Sequence, residues 1–268
     1  MSRRGWREIV LLLGAFAAYS GARMLADPDL ASARATAAAL LDAERLLQLD
    51  VEAALNRAVT GTPWLAAAMS FWYAALHYLV TPLVLVWLYR RCPERYPVAR
   101  NGLIIGSALG LVCYVLLPTA PPRLMPTGFV DTLASTADLG WWSSHASAPA
   151  GLGHFTNELA AMPSLHVGWA FWVAWAVPGL LPRMLGGLYA AITAVVVVGT
   201  ANHWVLDAIA GVAVIAAGML ISGRLRRRPV PGRAEGDAVV ARVPKQAMTC
   251  PDGPAGEVRP AEPVGAAV

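Results

Sequence analysis

Charge is scarce in this chain. Only 14% of its 268 residues are Asp, Glu, Lys or Arg, against about a quarter in soluble domains. That shortage excludes an ordinary water-soluble fold. Lysine is almost missing, because Lys245 alone among 21 basic residues is not arginine. The net charge of +4 is small, so the placement of the arginines is more informative than their sum. Cysteine is sparse as well: Cys92, Cys113 and Cys250 fall in a basic loop, an apolar segment and the tail. No pair of them has a metal-ligand spacing. The chain also lacks a convincing internal repeat, the signature of transporters built from repeated halves.

What is abundant is apolar sequence. Hydrophobic residues make up 57% of the chain, and the mean hydropathy is +0.51. Apolar runs occupy about 9–25, 64–89, 101–117, 164–181, 184–200 and 203–222. A helix needs about 20 apolar residues to cross a bilayer. The expected fold is therefore an all-α integral membrane bundle of about six transmembrane helices. Four regions follow. Residues 1–27 form an N-terminal transmembrane helix or signal anchor, with a cleaved signal peptide as the alternative. Residues 28–62 form an amphipathic segment, 63–223 the transmembrane core, and 224–268 a polar, Arg/Pro/Gly-rich tail expected to be disordered.

In the amphipathic segment Leu40, Leu47, Val51, Leu55 and Ala58 recur at helical spacing, with Asp42, Arg45, Asp50, Glu52 and Arg57 on other faces. This predicts a helix lying on the membrane or on the bundle, or a solvated helix between spans. The stretch 118–162 is too long and polar for a simple connection. It contains Trp141 and Trp142, suited to an interfacial belt, and also His145, His154 and Glu158. His77, alone within the second run, reads as a hydrogen-bonded bundle residue.

Arginines at 3, 4, 7, 90, 91, 95, 100, 183, 224, 226, 227 and 228 all fall on one side of a six-span topology. The positive-inside rule makes that side, and both termini, cytoplasmic. Three polar motifs from separate segments then meet on the extracytoplasmic face: Pro118-Thr119-Ala120-Pro121-Pro122-Arg123, Pro163-Ser164-Leu165-His166, and Asn202-His203-Trp204 with Asp207.

Their residue types suit phosphoryl chemistry. His203 and Asp207 stand four apart, on one helical face. A carboxylate holding one ring nitrogen fixes the tautomer and frees the other nitrogen to attack. His166 would protonate a leaving oxygen. Ser164 and the amides beside it would donate to an anion, and Arg123 would pair with phosphate. Taken singly, His203–Asp207 also suits a polar stitch between helices, Arg123 a headgroup anchor, and the His/His/Asp set a metal.

The second and third motifs resemble those of the type 2 phosphatidic acid phosphatase superfamily. The proline-rich first motif and Asn202-His203-Trp204 resemble its inositol phosphorylceramide synthase-like branch. The resemblance covers about 117–211. It implies a six-helix core with no metal or other cofactor, a phosphohistidine at His203 oriented by Asp207, His166 as acid, and phosphate held by Arg123, Ser164 and Asn202. Leu116, Val196, Val197 and Leu165 stand where the broader superfamily has Lys, Ser, Arg and Gly. Two phosphate-holding cations are thus missing, which leaves His154, Asn202 or Ser164 to help.

The function expected is a lipid phosphatase or phosphotransferase, with a lipid phosphate or lipid-linked substrate in the bilayer and no nucleic acid partner. Water or an alcohol, such as an inositol-type or lipid acceptor, would be the second substrate. The alternative is a non-catalytic polytopic protein, a lipid transporter or scaffold.

Overall fold

The computed structural model describes residues 3–23, 29–126, 128–143 and 158–227. The elements in order are α1 (Arg3–Arg23), α2 (Leu30–Leu46), α3 (Glu52–Thr60), α4 (Pro63–Phe71), α5 (His77–Arg91), α6 (Tyr96–Leu116), α7 (Thr132–Ser135), α8 (Leu165–Ala176), α9 (Leu180–Gly199) and α10 (Val205–Arg227). A π-helical turn at Trp72–Leu76 joins α4 to α5. Among the described residues there is no strand, and Thr119 and Ala160 form a bridge. His145, His154 and the tail beyond Arg227 lie outside the described residues.

Among the described residues, four helices are long and apolar enough to cross a membrane: Pro63–Arg91, Tyr96–Leu116, Leu180–Gly199 and Val205–Arg226. The expected first and fourth spans are not among them. Arg3, Arg4, Arg7 and Glu8 load the first two turns of α1 with charge. The run expected at 164–181 is the 12-residue α8, which stops at Val177 before Pro178 and a left-handed Gly179 at φ +88°. At 1.5 Å per residue it is about 18 Å long, well short of the roughly 30 Å hydrocarbon thickness.

The close packing of α6 on α10 organises the bundle. Gly102, Gly106 and Gly110 recur every four residues on α6, the small-residue stripe that lets membrane helices approach. A Cβ at Gly218 of α10 would lie 2.4 Å from the Gly106 amide nitrogen. Two turns earlier on α10, Gly211 lets the start of α8 in: a Cβ there would lie 2.0 Å from the Ser164 carbonyl. Leu165, Trp172, Leu103 and Ile215 fill the core between these helices, and the Trp172 indole donates to the Ala99 carbonyl at 2.8 Å.

The amphipathic segment departs from its expected form. It is two helices, broken where Gln48 adopts φ 58°. Leu47 and Val51, expected on the buried face, are half or more exposed. The fully buried positions are instead the small or branched Ala33, Ala37 and Val59 together with the polar Glu44, Glu52 and Asn56. Asn56 takes the Val130 amide at 2.8 Å and donates to the Val130 carbonyl, Thr132 Oγ1 and the Gly199 carbonyl. It fastens the 118–143 segment to the end of α9. Trp142 is also internal rather than interfacial, donating to the Leu133 carbonyl at 2.9 Å and packing edge-on to Phe71.

Replacing Gly211 by Ala is expected to cost about 1–3 kcal/mol or more, since backbone stands where the methyl must go. Gly187→Ala, with nothing within 4 Å of its added Cβ, is expected to be neutral or to stabilise α9 by up to about 1 kcal/mol. Thermal unfolding of the two variants in detergent checks the contrast, and equal midpoints would contradict this packing.

Candidate active site

The site forms where α6, α9 and α10 meet the start of α8. The end of α9 closes in a tight turn: the Asn202 and His203 amides both donate to the Val197 carbonyl at 3.1 Å. Ala201 is pushed to φ 58°, a left-handed conformation that costs a non-glycine residue about 1–2 kcal/mol. The turn is pinned from the other side by the Arg123 amide, which donates to the Ala201 carbonyl at 2.9 Å. The Trp204 indole, fully buried, donates to the Ala120 carbonyl at 2.9 Å. The first and third motifs therefore fold against each other.

His203 is buried, and its Nδ1 lies 2.9 Å from the Ala161 carbonyl oxygen and 3.4 Å from Asp207 Oδ2. A carbonyl oxygen can only accept, so Nδ1 carries the proton and Nε2 carries the lone pair in the neutral ring. The carboxylate expected to hold this nitrogen is thus the more distant of two acceptors. Asp207, completely buried, spends the same oxygen on the Trp204 amide at 2.8 Å.

The second motif is tied to the third through backbone. The Ser164 amide donates to the Asp207 carbonyl at 2.8 Å, and the Tyr114 hydroxyl donates to the Pro163 carbonyl at 2.8 Å. Ser164 caps α8 by position, yet its hydroxyl is buried and makes no hydrogen bond. An unsatisfied hydroxyl at a helix N-terminus, where backbone dipoles converge, is a cost the fold carries without return in this state.

The His166 ring is sandwiched. Its centroid lies 5.7 Å from that of His203, 4.4 Å from Tyr73 in a stacked arrangement, and 4.3 Å from His77 edge-on. Tyr73 and His77 reach it from the π turn and the start of α5. Such turns are rare within helices and recur at functional sites. His77 was expected to be a bundle residue; its place against His166 had no signal beyond the presence of a histidine in an apolar run.

Arg123 is not a free cation. Its side chain is 4% exposed, with Nε donating to Asn202 Oδ1 at 3.0 Å, Nη2 to Glu158 Oε1 at 3.0 Å, and Nη1 lying 3.6 Å from Asp131 Oδ2. Asn202 in turn donates to Thr200 Oγ1 at 3.0 Å. The contacts link all six residues singled out from the sequence: Arg123 to Asn202, the 202–204 turn to His166 and Asp207, and Asp207 to Ser164. Asp131 was missed because its partner stands eight residues before it across a turn. Among the described residues, no three His, Cys, Asp or Glu side chains group to hold a metal ion.

A family model of the PAP2 superfamily matches residues 38–221, well over half of the chain. The chain belongs to the PAP2 superfamily. The matched stretch runs from within α2 into α10 and contains every site residue above. Members of this superfamily are phosphatases and phosphotransferases, which points to a phosphatase-type membrane protein. No curated protein and no solved structure matches the chain.

Because its hydroxyl has no partner, Ser164→Ala removes a buried unsatisfied group that costs about 1–3 kcal/mol. The variant is expected to match or exceed the native thermal midpoint in detergent. A drop equivalent to more than about 1 kcal/mol would show that the hydroxyl is bonded in the folded protein.

Proposed function

We propose that this PAP2 superfamily member is a lipid phosphatase or phosphotransferase of the inositol phosphorylceramide synthase-like kind, working through a phosphohistidine. The observation that carries the reading is the fixed tautomer of His203. With Nδ1–H turned to Ala161 and Asp207, Nε2 is the nucleophilic nitrogen. It forms a bond to phosphorus as the bond from phosphorus to the leaving oxygen breaks. His166, protonated, gives its proton to that oxygen. Water or an alcohol then attacks the phosphorus, returns a proton to His166, and releases His203. Asp207 and the Ala161 carbonyl stabilise the positive charge that develops on the His203 ring.

The phosphoryl oxygens are placed at the start of α8, where Ser164 Oγ and the first-turn amides would donate to them. Arg123 has five N–H groups and gives only some of them to Asn202 and Glu158, so it can also face a phosphate. Its two carboxylate neighbours lower the local positive charge and can accept from hydroxyl groups. That combination favours transfer to an alcohol, of inositol or lipid type, over simple hydrolysis. The site is assigned to the extracytoplasmic face and the termini to the cytoplasm. This is supported by the arginines at the other ends of the helices, where Arg226 bonds the Glu94 carbonyl, Arg95 the Trp175 carbonyl, and Arg100 pairs with Glu8.

Turnover of a lipid phosphate panel by purified protein is expected to survive EDTA. His203→Ala is expected to lower it by a factor on the order of 10⁴ or more, and His166→Ala by about 10²–10⁴. Native protein quenched during turnover should carry an acid-labile phosphoryl group that the His203 variant lacks. Adding inositol or a lipid alcohol should divert phosphate from release to a transferred product. Full activity in His203→Ala, or turnover abolished by EDTA, would sink the mechanism.

A further inference from the structure

Three successive backbone amides open α10, and three different carboxyl groups answer them. Trp204 N–H donates to Asp207 Oδ2 at 2.8 Å, Val205 N–H to Glu52 Oε1 at 3.0 Å, and Leu206 N–H to Glu44 Oε1 at 2.7 Å. Asp207 serves its own helix; the other two reach in from α3 and α2. Glu44 and Glu52 are as buried as any side chain in the protein. Glu44 Oε2 is buried without a hydrogen-bond partner, and Glu52 and Asp207 are the carboxyl groups that act on Glu44 electrostatically.

The groups facing this pair are few. From the start of α10 comes Asp207. On α2, Arg45 pairs with Asp42 on the exposed side, and Arg34 is held by the Leu124 carbonyl. On α3, Arg57 is exposed. Among the described residues no cation lies within ion-pair distance of Glu44 or Glu52. A helix N-terminus supports about half an elementary charge, and Asp207 already draws on it. Two further buried carboxylates side by side cannot both ionise there at modest cost.

We propose that Glu44 and Glu52 share one proton and act as a positioning pair for the catalytic turn, holding Asp207 and His203 in register. The inference rests on the phosphohistidine reading for its catalytic half. The proton resides on Glu44, whose carboxyl is pushed up to about 8, first by burial and then by Glu52 and Asp207, against the opposing hydrogen bond from Leu206. The Glu52 carboxyl accepts from the amide of Val205. Loss of the proton would place two adjacent negative charges beneath Asp207 and push α2 and α3 away from α10. The amphipathic segment is then a working part of the site.

The sign follows from a carboxyl with a raised value in the folded state. Folded protein keeps a proton that the unfolded chain releases above about pH 4.5, so stability falls as pH rises towards about 8 and is level beyond it. The test compares the native protein with Glu44→Gln, Glu44→Ala and Glu52→Gln in detergent. The native thermal midpoint is expected to decline from about pH 5 to about pH 8, and Glu44→Gln to lack that part of the decline. With a lipid phosphate, kcat of native protein should fall about tenfold per pH unit above about 8 with KM little changed. Glu44→Ala should lose at least about tenfold in kcat, and the neutral isostere Glu44→Gln should restore most of it and move the alkaline fall upward.

Parallel midpoint curves for native protein and Glu44→Gln, or an unmoved alkaline fall, would overturn the proposal. If no lipid phosphate is turned over by the native protein, the phosphohistidine reading fails. The midpoint curves of Glu44→Gln and Glu52→Gln then decide the proton-sharing pair by themselves: a difference from native upholds it and coincidence removes it.

Discussion

The opening turn of α10 has to be satisfied in a place where water is scarce, and much of the structure follows from how that is done. The first amides of any helix lack partners within the helix. Here the three amides from Trp204 to Leu206 are answered by Asp207, Glu52 and Glu44. Meeting that demand brings α2 and α3 onto the bundle and fixes the peptide plane before Val205. The same residues that quiet a helix end therefore hold the turn that carries His203.

The two helix starts at the site are treated in opposite ways. The end of α10 is saturated by the chain's own carboxyl groups and has little left to offer an anion. The end of α8 has a buried hydroxyl without a partner and no side-chain cap. One positive dipole end is neutralised and the other is left open, about one ring away from His203. An anionic group entering the site is thereby directed to one helix rather than the other. Arg123, hemmed by Glu158 and Asp131, adds direction more than raw charge.

The sequence carried the bundle and the motif residues plainly. Apolar runs mark helices whatever else they do, and the ends of Pro63–Arg91 and Leu180–Gly199 lie within a few residues of the expected ones. The length of α8 was obscured because hydropathy continues through Val177 and beyond Pro178 to Leu180 and Leu181, while the backbone does not. Glu44, Glu52 and Asn56 were unreadable for a different reason. Their burial depends on amides and carbonyls contributed from some 75 to 160 residues away, and no periodicity reports such partners. A glutamate on an amphipathic helix looks solvated until the helix end it caps is known. Tyr73 and His77 share this limit, since only the π turn brings both against His166.

The brevity of α8 separates two tasks that a full-length helix would combine. Its 12 residues form the floor of the site, while the 117–143 chain and the residues leading to Ser164 approach the site from outside that helix. The floor is locked by glycine contacts to α10 and leaves almost no room for change. The overlying chain is fastened at a handful of points, among them Asn56, Thr119 and Trp142. Side chains between those fasteners can vary without disturbing a membrane helix. A lineage could thus alter the chain that overlies His166 and His203 while inheriting the residues packed around them intact.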